Sequence, residues 1–185
     1  MERRRPRLRL VCSVDEAIAQ PGALAVRRHA HMSLRYRRNL PHIEKDGASY
    51  FVTTRTLGGA VFLPEQARTL VFDHCLYENN ITVHMHAFVV MPNHVHLLFT
   101  PLIDHTGEPN AIAQIMNGIK GASSHTVNKL LRRRGTLWEP ESFDRIIRSD
   151  TDFEAKMIYI LANPVNARLC RYPDDYPWLW RDREG

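Results

Sequence analysis

Alternating apolar and polar positions begin near residue 49 and predict three strands in the first half of the chain. The segment SYFVTTRTL (49–57) is rich in aromatic and β-branched residues, which favours a strand, and two glycines (58–59) end it. The segments ITVHMHAFVVM (81–91) and HVHLLFTP (94–101) have the same character and are separated by only Pro92-Asn93. We therefore expect a tight hairpin there.

Three longer segments carry apolar residues at helical spacing. They are LPEQARTLVFDHCLYENN (63–80), PNAIAQIMNGIKGASSHTVNKLLRRRG (109–135) and DTDFEAKMIYILANP (150–164). The third helix is predicted to end before Pro164, because the residue that precedes a proline disfavours helical backbone.

The order of these elements predicts the fold class. With 136–149 taken as a short extended piece with turns, the chain reads strand, helix, strand, strand, helix, strand, helix. This order is close to a ferredoxin-like split βαβ arrangement, an α+β sandwich whose antiparallel sheet carries helices on one face. Residues 1–33 lack sustained periodicity and are predicted to be a flexible Arg-rich arm, which leaves 34–185 as one domain.

Composition places the chain among soluble globular proteins. With 185 residues, 44% of them hydrophobic, it can bury a core of its own. No apolar stretch approaches the roughly 20 residues of a membrane-spanning helix, and no signal-peptide core follows the basic start, so we expect a cytoplasmic protein without a membrane partner. Its cysteines, Cys12, Cys75 and Cys170, lie too far apart to indicate a disulfide framework or a cysteine zinc site.

The positive charge is concentrated at the start of the chain. Residues 1–38 hold ten arginines against three acids, a net charge of +7, whereas the whole chain carries +5 and the remainder therefore −2. A nucleic-acid partner must then be argued from local clusters, of which KLLRRRG (129–135) and DRIIRS (144–149) are the clearest.

Two histidines interrupt the apolar strand that follows Pro92-Asn93. Side chains alternate along a strand, so His94 and His96 point to one face while Val95 points to the other. Both imidazoles can then meet one ligand. A lone strand histidine is typically a satisfied core residue, but a pair on one face at the mouth of a hairpin favours a metal or phosphate site.

A second pair, His84 and His86, lies on the preceding strand with the same spacing. A two-residue turn would place Val89 opposite His96, which puts His84 and His86 on the other face of the sheet. We therefore expect the second pair to be structural or surface residues, and not part of one four-histidine site.

Two imidazoles alone do not hold a catalytic divalent ion. The helix at 150–164 offers Tyr159 and Asn163, four residues apart and hence on one helical face, and Asn163 could supply an oxygen ligand. Structural alternatives stay open at this point. An Asn-Pro pair commonly ends a helix, and a helical tyrosine is commonly a half-buried core residue.

Several segments together resemble the REP-associated tyrosine transposases, which belong to the single-tyrosine HUH transposases of small bacterial insertion sequences. They occur in the order of that family and are YFVTTRT, FVVMPNHVHLLF, IKGASSHTVNKL, LWEPESFDRIIRS and YILANPVNARL. The motif of His, hydrophobic residue and His is His94-Val95-His96, and YPDDYPW resembles the end of the family's domain. The resemblance spans residues 34–179 and implies the HUH endonuclease fold.

The resemblance implies a mechanism. Tyr159 would be the nucleophile and His94 and His96 catalytic, with His94, His96 and Asn163 as ligands of Mg²⁺ or Mn²⁺. Ligand softness alone would also admit Zn²⁺. The reaction would cleave and rejoin single-stranded DNA at hairpin-flanked sites through a 5′-phosphotyrosine. Single-stranded or hairpin DNA is then the expected partner of a protein that is a monomer or a homodimer.

DNA contacts are expected from the helix at 109–135 and the segment that follows it. Trp138 and Phe143 could stack on unpaired bases or could pack in the core. Two other functions stay open: a non-catalytic DNA-binding or regulatory protein on the same fold, and a metal-dependent hydrolase that uses water. The basic residues expected to contact phosphates are Lys120, Lys129, Arg132, Arg133, Arg145 and Arg148.

Overall fold

Five strands pair into one antiparallel sheet. In the computed structural model, residues 47–183 are described, and the predicted arm at 1–33 and its boundary lie outside them. The strands are β1 (Tyr50–Arg55), β2 (Val83–Val90), β3 (His94–Pro101), β4 (Phe143–Ile146) and β5 (Leu179–Arg181). Their spatial order is β4-β1-β3-β2-β5. The α+β class and the antiparallel sheet are therefore confirmed.

Helices cover both faces of the sheet, which corrects the expectation that they lie on one face. Helices α1 (Glu65–Tyr77) and α2 (Ile112–Leu130) share one core with the sheet. Helix α3 (Asp150–Asn166) shares a second core on the opposite face. The reason is in the central strands, because β2 and β3 are almost continuously buried and both of their faces need cover.

Strand β5 was not predicted from the sequence. It has three residues, lies in a segment with several prolines, and pairs along the outer edge of β2 with Trp180 opposite Phe88. The two rings stack with centroids 5.7 Å apart. So short a strand carries no periodic signal, and its position depends on this tertiary contact.

Helix α3 continues through Pro164 to Asn166, so the predicted end before Pro164 is wrong. A proline inside a helix removes one N–H donor, here the one that would bond to Ile160. Burial of the ring among the residues of the second core accompanies this loss. As a result Asn163 keeps helical backbone and lies one full turn after Tyr159.

A β-bulge places the second histidine pair on an unexpected face. The pairing of β2 with β3 follows the predicted register near the turn and then shifts by one residue between Met85 and Ala87. Because an inserted residue resets the alternation of side chains, His84 comes opposite Thr100 and hence on the face that carries His96. His86 packs against Phe153 of α3 on this same face. The prediction that His84 and His86 lie on the opposite face is therefore wrong.

The residue at the bulge, His86, packs against helix α3. The His86 ring packs edge-on against Phe153 of α3, with centroids 4.9 Å apart, and its Nε2 lies 2.8 Å from the Thr100 hydroxyl. Burial, assisted by the neighbouring His84, lowers the pKa of His86 to about 4, although Asp182 acts in the opposite direction. Within residues 47–183, no three His, Cys, Asp or Glu side chains are grouped so as to hold a metal, so the two histidine pairs remain separate.

Two sequence-based expectations concern membranes and cysteines. Among the described residues, no helix has the length and apolar character required to cross a bilayer. Cys75 is buried in the first core and Cys170 is partly exposed, and both are free thiols. Cys12 lies outside the described part of the chain.

We expect acid to destabilise the fold through His86. The unfolded residue takes up a proton near pH 6.5 and the folded one only near pH 4. The free energy of unfolding should therefore fall by about 2 kcal/mol on this account as the pH is lowered from about 7 to about 5. His86→Gln should remove this part of the loss in urea titrations at the two pH values. The exposed His105→Gln is the control, and a parental pH dependence in His86→Gln would contradict the prediction.

Candidate active site

The pairing of β1 with β3 determines which side chains lie on the face of the sheet that carries His94 and His96, called here the site face. Thr53 lies opposite His96, and Arg55 lies opposite His94. Because directly opposed residues of antiparallel strands point the same way, these four side chains all lie on the α3 face. Two adjacent strands thus present one continuous polar group at the hairpin end of the sheet.

The Pro92-Asn93 turn orients the first imidazole. Asn93 Nδ2 donates to the carbonyl of Gly59 at 3.4 Å, and its Oδ1 lies 2.8 Å from His94 Nδ1. Since Oδ1 only accepts, Nδ1 of His94 must carry the proton, which leaves the lone pair on Nε2. The turn itself is fixed by the Thr56 N–H, which donates to the Asn93 carbonyl at 2.9 Å.

Thr53 orients the second imidazole. His96 Nδ1 lies 2.8 Å from the Thr53 hydroxyl, while its Nε2 is buried and has no hydrogen-bond partner in the described part of the chain. Only 5% of the residue is exposed. Burial, with the neighbouring charges of His94 and Arg55, lowers the pKa of His96 to about 3, so the ring is neutral. An unpartnered buried ring nitrogen is costly in a folded protein and makes this position a candidate for ligand binding.

Helix α3 brings the other two predicted residues to the same place. Its start is capped by the Ser149 hydroxyl, which accepts from the Asp152 N–H. Tyr159 packs edge-on against His96, with centroids 5.1 Å apart, and 47% of it is exposed. Burial is the main influence on the pKa of His94 and lowers it, whereas a hydrogen bond with Asn163 acts to raise it.

The buried ring of Phe51 packs against both His96 and Tyr159. Phe51, on the site face of β1, stacks against His96 at 5.5 Å between centroids and meets the Tyr159 ring edge-on at 5.8 Å. The Lys156 ammonium lies 5.1 Å from the centre of the same ring. Tyr159 is therefore held beside the imidazoles while much of its surface faces solvent.

The donor set fits a divalent cation. His94 and His96 offer imidazole nitrogens, Asn163 offers an amide oxygen, and all three groups are neutral. The buried Nε2 of His96 has no hydrogen-bond partner among residues 47–183. Nitrogen and oxygen donors of this kind suit several divalent metals, and three protein ligands leave coordination positions open for substrate.

Three of the predicted DNA-contacting residues come together at the end of α2. Lys129, Arg132 and Arg133 line an open concave site of about 400 Å³. Arg133 Nη2 donates to the Thr136 carbonyl at 3.2 Å, which partly orders that side chain. The site collects four cationic side chains without a carboxylate in its lining. The rest of the lining is Arg134, His125 and Asn128.

The other three predicted cations lie elsewhere. Lys120 Nζ donates to the Pro140 carbonyl at 2.7 Å, and Arg145 approaches Asp152 of α3 at 3.6 Å. Arg148 is exposed immediately before α3. The six residues therefore do not form one continuous surface.

The two candidate stacking residues have different environments. Trp138 is 2% exposed and donates from Nε1 to the Ser123 hydroxyl at 2.9 Å. It is a core residue, so the interpretation that it stacks on bases is wrong. Phe143 is 65% exposed and lies opposite Thr53 in the pairing of β4 with β1, hence on the site face.

Sequence reasoning missed the side chains of β1 that complete the site. Thr53, Arg55 and Phe51 alternate along YFVTTR, and this spacing marks them as one face of a strand. The sequence did not show that β1 pairs with β3 in the register that brings this face to the histidines.

Comparison with known proteins agrees with the fold. A solved structure of a REP-associated tyrosine transposase bound to a REP hairpin is 20% identical, covers 79% of this chain and 81% of its own, and has a TM-score of 0.60. A Deinococcus radiodurans protein described as a transposase candidate is 18% identical, covers 68% of this chain and 95% of its own, and has a TM-score of 0.43. No curated protein sequence matches the chain.

A family model gives the assignment. The model described as IS200-like transposase matches residues 68–160, half of the chain. The match includes His94, His96 and Tyr159. The resemblance inferred from the motifs is thus confirmed at the level of the family, and the chain belongs to the IS200-like transposases.

Proposed function

We propose that this transposase is of the REP-associated type and cleaves and rejoins single-stranded DNA at hairpin-flanked sites, with Tyr159 as its nucleophile. The observation that carries the proposal is the contact between Tyr159 and the buried His96. Asn163, one turn later on the same helix, acts on the pKa of His94. One helix thus delivers a phenol and an amide to two oriented imidazoles. The hairpin bound to the solved relative is consistent with DNA of this form.

The reaction is a transesterification. The Tyr159 oxygen attacks a backbone phosphorus as its proton is lost, the bond from phosphorus to the upstream 3′ oxygen breaks, and that oxygen takes up a proton. The products are a 5′-phosphotyrosine and a free 3′-hydroxyl. A 3′-hydroxyl from another strand reverses these steps, forms a new phosphodiester and releases the phenol. Because the phosphate ester is kept throughout, rejoining needs no external energy source.

Different residues of the site are proposed to position Tyr159 and to hold the metal. Phe51 and His96 hold the Tyr159 ring, and its exposed part can meet a DNA strand. A phenol with a pKa of about 10 is a weak nucleophile at neutral pH, so the phosphate must be activated. His94, His96 and Asn163 would hold Mg²⁺ or Mn²⁺, which when bound supplies a Lewis acid for a phosphate oxygen.

Two surfaces are proposed to hold the DNA. The basic concave site at the end of α2 suits backbone phosphates, because Lys129, Arg132 and Arg133 converge there. On the site face, exposed Phe143 and neighbouring Arg145 on β4 suit an unpaired base and its phosphate. Lys120 and Arg148 would contribute at most peripheral phosphate contacts.

The proposed setting is the cytoplasm, where the DNA substrate is found. All four proposed site residues come from one chain and meet within it. This arrangement supports a complete site in a monomer, and a homodimer would not be needed to assemble it.

Tyr159→Phe should abolish covalent attachment to DNA. End-labelled single-stranded oligonucleotides from hairpins beside the gene are incubated with protein and Mn²⁺ and run on a denaturing protein gel. A labelled adduct is expected for the parent and for Tyr77→Phe, a matched change at an exposed tyrosine of α1, and none for Tyr159→Phe.

The same gel separates the other functions. Cleavage without an adduct would indicate a hydrolase that uses water, and DNA binding without cleavage would indicate a regulatory protein. An adduct that persists in Tyr159→Phe would refute the assignment of the nucleophile.

Thr53→Val should weaken metal binding by about tenfold, since loss of the group that orients a ligating histidine typically costs that much. Binding of Mn²⁺ can be followed by the electron paramagnetic resonance of the free ion. Thr54→Val is the matched control, because this neighbouring buried hydroxyl has no hydrogen-bond partner. Equal Mn²⁺ affinities for the two variants would argue against the proposed role of Thr53.

Removing two exposed cations from the concave site should weaken DNA binding and its salt dependence. For Arg132→Gln with Arg134→Gln, the slope of log affinity against log salt should fall by roughly 0.7 for each DNA phosphate that the protein no longer neutralises. Fluorescence anisotropy of a labelled single strand over a salt series measures both quantities. Arg171→Gln, an exposed change at another surface, should keep the parental slope, and a double variant that also keeps it would exclude this site from DNA binding.

A further inference from the structure

Arg55 borders the proposed metal site but has no part in the function described so far. It ends β1 directly opposite His94, and it follows Phe51 and Thr53 in the alternation that defines the site face. Its side chain is exposed, and its charge acts to lower the pKa of both His94 and His96. The guanidinium is therefore electrostatically coupled to both imidazoles.

The charge of Arg55 is not neutralised by a neighbour. Between residues 47 and 183, none of the ion pairs includes Arg55. Glu139 bonds to the Arg55 carbonyl through its backbone N–H at 2.8 Å, but its carboxylate forms no ion pair with the guanidinium. Among the described residues, the exposed Arg55 side chain thus has no acidic ion-pair partner.

A divalent cation and Arg55 would together give the site a net positive charge, which favours binding of an anion. His94, His96 and Asn163 are neutral ligands, so a divalent cation bound to them keeps its full charge. Arg55, directly opposite His94 in the pairing of β1 with β3, adds a further positive charge on the same face, and like charges repel. A phosphodiester would relieve this repulsion, and a guanidinium is well suited to grip two of its oxygens.

We propose that Arg55 binds the phosphodiester group of the DNA at the metal site and thereby makes the binding of metal and DNA cooperative. The inference rests on the proposed function, because it takes the metal and the DNA strand from it. Without DNA, Arg55 opposes the metal. With DNA present, the phosphate lies between the two positive groups, and each ligand strengthens the binding of the other by the same factor.

Mn²⁺ binding with and without a short oligothymidylate tests the proposal. All proteins carry Tyr159→Phe, so that no covalent step intervenes, and the oligonucleotide alone is titrated to subtract the Mn²⁺ that it binds. In the absence of DNA, Arg55→Gln should bind Mn²⁺ roughly three- to tenfold more tightly, because a repelling charge is gone. The same variant should lose most of the gain in Mn²⁺ affinity that the oligonucleotide gives the parent.

Two further variants make the result specific. Arg55→Lys keeps the charge and should keep the low Mn²⁺ affinity without DNA, yet lose part of the gain because an ammonium cannot grip two oxygens in the same way. Arg171→Gln makes the same change of net charge away from β1 and should behave as the parent. Arg55→Gln with parental Mn²⁺ affinity in both conditions would overturn the proposal.

Failure of the inference is distinguishable from failure of the proposed function. His94→Ala should lose Mn²⁺ binding if the metal site is as proposed. If it does so while Arg55→Gln remains parental, only the role of Arg55 is refuted. If His94→Ala binds Mn²⁺ as the parent does, the metal site itself is refuted and the inference about Arg55 is refuted with it.

Discussion

The register between β1 and β3 is the constraint on which the site depends. It sets Thr53 against His96 and Arg55 against His94, and it places Phe51 under the rings that meet there. A slip of one residue would turn every side chain of β1 to the other face of the sheet. Such a slip is costly, because Val52 lies fully buried in the first core and would exchange places with polar neighbours. The burial of Val52 on one face of the sheet therefore determines which side chains of β1 reach the site on the other face.

Both histidine pairs lie on the same face of the sheet, but their ring nitrogens have different partners. In the pair on β2, His86 Nε2 meets a threonine hydroxyl and the ring packs against α3. In the pair on β3, the hydroxyl meets His96 Nδ1, and Nε2 is left without a partner. A buried ring nitrogen without a partner among the described residues is suited to a ligand, whereas one that is already bonded serves packing. The difference arises from which strand supplies the hydroxyl and not from the His-X-His spacing.

The sequence predicted the elements with strong periodicity and the residues that belong to recognisable motifs. The class of fold and the hairpin followed from residues close to one another in the chain, whereas the expectation that His94, His96, Tyr159 and Asn163 share one site came from the resemblance to a family. Features decided by distant contacts did not follow. A bulge resets the face of His84, a buried proline continues α3, and Trp138 finds its partner in the core. Arg55 was missed for the same reason, since only the pairing of β1 with β3 brings it to the site.

Crystals grown with Mn²⁺ and a short single strand, in the Tyr159→Phe background, would test the account most directly. Anomalous scattering locates manganese without reference to any assumed ligand. The account predicts a peak bonded to His94, His96 and Asn163, with a backbone phosphate between the ion and Arg55. A peak at other side chains, or a strand that leaves this end of the sheet uncovered, would contradict it.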